Sequence, residues 1–490
     1  MTVPVEPVTR RFASFAAEAA AAGLPDWLRR DLCAHSLDFL GNCLAGRLEA
    51  PVRAVDALVG EWGMAGEPTA VGSVRQTRAA AAALVNGTAA HCLDADDTHL
   101  PSVLHPSSAV LPAALAAAEE AGADGTSLLD AAALGIELAC RLGMAGFDEE
   151  LRDSIFLERG LHATAVCGAV GAALAVGLLR RLGPEDLASL LGIAASLSSG
   201  IAEATRTGGT VKKVHCGWAA HSGVTAAELL RHGLTGPATA IEGRYGLLRA
   251  FLGDDARVER VTDGLGERWE ARNVVFRPYP CNHFTHAGID AALRLRARGI
   301  RPEQVRTLAL GVPGQALAMI AEPAGEKAAP PNGQLAAFSA PYTVAAALSG
   351  GSGLGVSHDD FAPAAVTDPA RRALAARVRC VADQAATEAF PYQFLAVLTA
   401  ELTDGRTVTE RVTEMRGAPG RPLSADDHRA KFTASAARTL PGRPADELIE
   451  TVLGLCAGAT ARDLGRVLRD LLDDGPAGSP SRRPQQGTHR

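Results

Sequence analysis

Aromatic residues are scarce, at 4% of 490 residues. A β-sandwich or barrel would draw on more aromatic and β-branched side chains, whereas an apolar content of 47% rich in small residues suits closely packed helices. Lysine is scarcer still: of 48 basic residues only Lys212, Lys213, Lys327 and Lys431 are lysines. The adjacent pair at 212 and 213 stands out, because an ammonium is compact and its pKa movable where a guanidinium's is not. The nine cysteines are scattered, odd in number and without a C-x-x-C pair, which excludes zinc or iron–sulfur spacing and fits reduced thiols in a cytoplasmic protein. Like-charge blocks are absent and the net charge is −7, so neither a nucleic-acid groove nor a membrane face is expected, and a small molecule is the expected partner. Arg10 and Arg11 lead into alternating Phe and Ala with Glu18, without the apolar core of a signal peptide. The most apolar stretch, residues 166–179, is too short and too rich in Ala and Gly for a membrane span and reads as a core helix. The nucleotide patterns G-x-x-x-x-G-K-[ST] and G-x-G-x-x-G are missing, the run at 350–355 failing the second, and no H-E-x-x-H occurs. Neither a nucleotide-binding loop nor a metal-ligand motif is therefore expected.

What is present is a polar corner at residues 91–108. It holds His91, Asp94, Asp96, Asp97, Thr98, His99, His105, Ser107 and Ser108 between two Ala-rich segments that read as buried helices. Pro106 stands where a first helical turn tolerates it. Capping would explain some of the Asp, Thr and Ser, but carboxylates and imidazoles together are the groups that move protons and grip carboxylates. From residue 8 to about 250 the pattern is helix after helix, including 128–142, 160–182 and 184–197, with short Gly or Pro breaks. Near 270 the texture changes: residues 274–276, 305–312, 378–381 and 394–402 read as strands, and Asp404-Gly405 is a hairpin signal leading into 407–412. Helices at 287–298 and 342–348 lie between them, and from Ser424 the chain turns helical again, over 430–440. The expected architecture is mainly α: a large all-helical domain (1–270, rejoined by 419–473), a smaller α+β domain (271–418), and a disordered tail at 474–490.

Three further polar interruptions matter. His162, in Gly160-Leu161-His162-Ala163-Thr164, opens an apolar helix; alone, such a residue is more often structural. Residues 205–215 gather Thr205, Arg206, Thr207, two glycines, Thr210, Lys212, Lys213 and His215 ahead of another helix, which suits an anion as well as a solvated basic turn. His283 and His286, at i and i+3 near the start of the second domain, could join His99 and His105 on a metal, but no established ligand set accompanies them. Together these stretches describe a pocket of carboxylates, imidazoles and ammonium groups fit for acid–base work on an anionic substrate.

The motifs N-G-x-x-A-H-x-x-D-x-D-D-T-H…H-P-S (86–107), G-x-H-x-T (160–164), K-x-x-H-x-G-x-A-A (212–220), T-G-P…E-G-x-x-G (235–246), Y-P-C…H-x-x-I-D-A (279–291) and F-S-x-P-Y (338–342) occur in this order. In this the chain resembles the MmgE/PrpD family, which includes 2-methylcitrate dehydratases, cis-aconitate decarboxylase and iminodisuccinate epimerase. The resemblance implies a homodimer whose site lies between a helical domain and a lid, without cofactor or metal. It places Asp94, Thr98, His105, His162 and Lys212 in that site, with His286 as the lid histidine and Lys213 and His215 beside them. The expected activity is that of a hydro-lyase on a di- or tricarboxylate. Lys212, with Arg206 or Lys213, would pair a substrate carboxylate; His105 and His162, with His286, would exchange protons; Asp94 would orient an imidazole and Thr98 hold substrate. Decarboxylation or epimerisation in the same pocket is the alternative. The family decarboxylase has a tyrosine upstream of F-S-x-P-Y, whereas residues 320–335 here contain none, leaving Tyr342 as a substitute. A carboxylate-binding protein without turnover is the alternative of another class, and the full histidine set speaks against it.

Overall fold

Small and unbranched side chains lose little rotamer freedom in a helix, and the computed structural model is accordingly mainly α, 60% helical with small sheets. It describes residues 6–150, 152–207 and 209–473, so the tail expected at 474–490 lies outside the described residues. The helices Asp26–Gly46, Ala79–His91, Pro106–Ala121, Gly125–Met144, Ala163–Leu179 and His215–Arg231 share one apolar cluster. Ala163–Leu179 is buried all round except at Leu178, as its uniform apolarity requires. Among the described residues no helix is long and apolar enough to cross a membrane.

Glycines let two of these helices meet at backbone distance. A Cβ on Gly217 would lie 2.2 Å from the Leu84 carbonyl oxygen and 2.4 Å from Thr88 Oγ1. The contact fixes the relative position of the helix that ends at His91 and the one that begins at His215. Gly217→Ala is therefore expected to cost about 1–3 kcal/mol through overpacking, read as a lower urea midpoint at unchanged slope.

A second apolar cluster is formed by Leu100 and by residues between Val275 and Ala418. Its sheet runs in the order Thr407–Val412, Ala396–Leu402, Val305–Val312, Val378–Ala382; the last pair is parallel and the others antiparallel. The hairpin turns at Asp404-Gly405, where Gly405 takes a φ of 88° that suits glycine. His286–Ala297 and Ala340–Ser349 pack on this sheet, Gly288 lying against Leu310 and Val344. The strand expected at 274–276 is not part of it. Val274–Val275 instead pairs antiparallel with Thr98–His99, register Thr98↔Val275, and so ties the polar corner to the start of the second cluster.

The chain then returns. Ser424, the expected helix start, opens Ala425–Ala437 with a capping box to Asp427, and the helix ends three residues short of the expected 440. Phe432 and Ala436 join the first cluster, and Phe432 packs on Gly41.

Candidate active site

The helix Ala79–His91 runs out at Cys92, and Asp94 then adopts a φ of 52°. Glycine is the usual occupant of that conformation, with Asp tolerated. Keeping an acid there aims its carboxylate at Lys212, 3.2 Å away, and Lys213, 2.5 Å away. The next carboxylates face the other way: Asp96 Oδ2 accepts from His91 Nδ1 at 2.8 Å, and Asp97 Oδ2 lies 2.7 Å from His35 Nδ1 while also accepting from Ser107. The expectation that Asp94 orients an imidazole is thus corrected. Two ammonium groups hold it, and Asp96 takes the imidazole.

Four imidazoles stand in a row: ring centres are 5.3 Å apart from His105 to His91, 5.6 Å from His91 to His162 and 5.1 Å from His162 to His215. The His105 tautomer is fixed by its surroundings. Nδ1 donates to the Asp97 carbonyl at 2.8 Å, which leaves Nε2 with its lone pair available. His162 and His215 share a hydrogen bond between their Nδ1 atoms, 3.0 Å. Arg277, delivered by the short pairing of 98–99 with 274–275, is buried across from them. It donates to Thr98 Oγ1 at 3.0 Å and to the Asp94 carbonyl at 2.7 Å, with Nη2 3.5 Å from His105 Nε2.

Burial alone would raise the Asp94 carboxyl, but Lys212 and Lys213 hold it well below the usual carboxylate range. Asp96 is likewise low because His91 and His105 outweigh its burial. The imidazoles move the opposite way. Burial, with Arg277, His91 and Lys212 adding, pushes His105 down to about 4. Burial, with His91 and Lys212, pushes His215 down to about 4, and His162 falls well below its ordinary value. At neutral pH His105, His162 and His215 therefore offer uncharged bases beside Lys212, Lys213 and Arg277. At His105 and His215 the unfolded chain takes up protons below the ordinary value of 6.5, and the folded chain does so only near 4. Their contribution to stability is thus complete above pH 6.5 and is lost as the pH falls toward 4. Urea midpoints at pH 7 and pH 5 check this, and His215→Gln should flatten the difference.

The structure brings Asp94, Thr98, His105, His162, Lys212, Lys213 and His215 into one site. His286 makes no hydrogen bond to that set but has Arg277 as its main charged neighbour: it is buried, donates from Nε2 to the Cys281 carbonyl at 3.2 Å and sits edge-on to Tyr279. The Arg206 side chain lies outside what is described; its backbone is in the turn Ala204–Thr207. Tyr342 does not replace the missing tyrosine, since its buried hydroxyl donates to the Asp360 carbonyl at 2.5 Å. Sequence reasoning missed His91, Asp96 and Arg277 as site members. The first two lie inside the motif that was singled out, but nothing in their spacing separates the acid that meets lysine from the acid that meets imidazole. Arg277 carries no local signal. Among the described residues, His91, Asp96 and Cys216 could together hold a metal ion, with one ligand atom from each within 4.8 Å of the others. The His91–Asp96 hydrogen bond and the cations nearby give two of those atoms another use.

Comparison with known proteins identifies the family. Residues 10–259 match the MmgE/PrpD N-terminal domain and residues 279–455 the MmgE/PrpD C-terminal domain. The chain is 29% identical over 413 residues to the cis-aconitate decarboxylase-like protein oryM of Aspergillus oryzae, covering 80% of this chain and 83% of that protein. It is 33% identical over 229 residues to the cis-aconitate decarboxylase of Aspergillus terreus, covering 44% of this chain and 46% of that one. With the human cis-aconitate decarboxylase it shares 28% identity over 384 residues, 76% of each chain. The polar corner, the lysine pair and the imidazole row all fall within the N-terminal match and Arg277 just outside both, and a chain matched across its two parts in this way belongs to the MmgE/PrpD family.

Proposed function

We propose that this protein is a cofactor-independent lyase of a di- or tricarboxylate, and that its first activity is decarboxylation of a cis-aconitate-like substrate. The observation that carries the reading is the close grouping of the His105, His162 and His215 imidazoles, uncharged at neutral pH, with Lys212, Lys213 and Arg277. The names of the relatives support decarboxylation over the hydro-lyase activity expected from the motifs alone. The site would lie between a helical domain (1–270 with 419–473) and an α+β lid (271–418), in a homodimer.

The chain's own groups suffice for the chemistry. Substrate carboxylates displace part of the Asp94–lysine pairing and settle on Lys212, Lys213 and Arg277, with Thr98 beside them. Their negative charge offsets the field that keeps the imidazoles neutral, so one of His105 and His162 takes up a proton and becomes an acid. The bond from carbon to one carboxylate then breaks and releases carbon dioxide. Its electron pair becomes the new double bond, while the pair of the old double bond takes the proton from the imidazolium. The cations stabilise the charge that spreads over the remaining carboxylates in between.

A second reading is dehydration, favoured by the absence of tyrosine from residues 320–335 and by the hydrogen bond that occupies Tyr342. Here neutral His105 Nε2 removes an α-proton and a second imidazolium protonates the departing hydroxyl. Proton NMR in D₂O with cis-aconitate, citrate and 2-methylcitrate decides between them. Carbon dioxide release with new vinyl signals from cis-aconitate is the expected result. Vinyl signals from a hydroxy acid without gas would establish dehydration instead, deuterium washing into substrate without net product would point to epimerisation, and no change with any of them would remove the lyase reading.

A further inference from the structure

His283 is unlike the other histidines of this chain. It is buried, 6% exposed, and among the described residues it is the only histidine whose two ring nitrogens are both buried without a hydrogen-bond partner. A buried polar atom left unpaired is costly, and native proteins leave few of them unless a ligand or an ordered water completes the bond. The ring is nonetheless held firmly. Asn282 caps the short turn His283–Thr285, Phe394 meets the ring edge-on at 5.3 Å, and His286 lies 4.6 Å away on the other side. His286 is itself held by its bond to the Cys281 carbonyl, so the turn presents one braced imidazole and one open one. The His283 ring feels the charges of Arg277 and Lys431, and the Arg277 guanidinium bonds Thr98 and approaches His105.

We propose that His283 is a substrate-contact residue that donates a ring N–H to a substrate carboxylate oxygen beside the Arg277 guanidinium. The inference rests on the carboxylate reading above and goes beyond it, because the expected lid histidine was His286. A neutral imidazole has one donor and one acceptor nitrogen, so only one of the two open atoms is satisfied by a carboxylate. The other is left for water or for the second functional group of a hydroxy or unsaturated acid, which makes His283 a position that reads substrate identity as well as charge.

The test uses tricarballylate, an unreactive saturated tricarboxylate, with the full-length chain. His283→Leu removes both unpaired nitrogens at similar volume, so it should melt no lower than the parent chain while binding tricarballylate about 10–100-fold more weakly, as loss of a hydrogen bond to a charged group does. His283→Gln, which keeps a donor, should regain most of that affinity. In histidine-selective ¹⁵N NMR of the parent chain, a resonance missing from the His283→Leu spectrum should move when tricarballylate is added. If the His105 and His162 resonances move and the His283 resonance does not, or if His283→Leu binds as the parent does, the inference is overturned and the carboxylate site stands. If His283→Leu melts far below the parent, the imidazole is structural and the inference is again overturned. If none of the three resonances moves, the carboxylate reading fails and takes this inference with it.

Discussion

Replacing His105 by glutamine is expected to lower kcat/KM about 10²–10⁴-fold, the range that removal of a positioned proton carrier produces, while leaving the melting temperature near that of the parent chain. His105 Nδ1 bonds the Asp97 carbonyl and its peptide N–H bonds Thr164 Oγ1, which leaves Nε2, 3.5 Å from Arg277 Nη2, as the atom proposed to carry the proton. Glutamine can keep the bond to the Asp97 carbonyl but has no nitrogen that gains and loses a proton near neutrality. Progress of cis-aconitate, or of whichever hydroxy acid proves to be the substrate, is the measurement. A variant with near-parental turnover would move the proton transfer to His162, whose shared bond with His215 gives it the next best orientation.

The second large effect concerns stability. Lys431 and Asp38 form a buried ion pair beneath the polar corner, and Lys431 Nζ also donates to the Ala95 carbonyl at 3.0 Å. Burial pushes the Asp38 carboxyl up while Lys431 pulls it back, and Asn42 Nδ2 donates to Asp38 Oδ2 at 3.1 Å. Lys431→Met should cost about 3–5 kcal/mol, the usual result of leaving one partner of a buried pair uncompensated. Adding Asp38→Leu removes the stranded carboxylate and should recover most of that loss. Urea midpoints of the two single variants and the double variant measure it. The activity of the double variant carries separate information: stability returns, but the Ala95 carbonyl has lost its ammonium, so Asp94 and Asp96 on either side are less well placed and turnover stays low.

Much of this was legible in the residues. Uniform apolarity at 166–179 means burial on all sides, and the Asp404-Gly405 signal fixes the hairpin of the main sheet, because both depend on local chemistry alone. The polar corner was visible for the same reason, since its composition has no use as a plain solvated loop. What could not be read is which acid meets which base. Asp94, Asp96 and Asp97 are near neighbours in one motif, yet one pairs with lysines more than a hundred residues away, one with an imidazole five residues back and one with His35. That choice is made by a left-handed turn at a single residue and by helices packing through glycine. Arg277 was hidden for a related reason: a two-residue strand pairing places it, and it has no periodic signature. Residues 274–276 have the β-branched texture of a sheet strand, but their partner is the polar corner rather than the sheet.

Lys431 is 336 residues from the Ala95 carbonyl it supports and 393 from Asp38. During synthesis a chain folds broadly from its N-terminal part onward, and contacts this distant in sequence close late. The polar corner therefore leaves the ribosome with its acids and imidazoles already in order along the chain but with no ammonium beneath it. Until the Ala425–Ala437 helix arrives, Asp38 has no cation to face in the interior, and the nascent protein has every reason to keep that region open to water. The acids and imidazoles of the candidate site are encoded early, and the ion pair beneath them closes only when the Ala425–Ala437 helix docks.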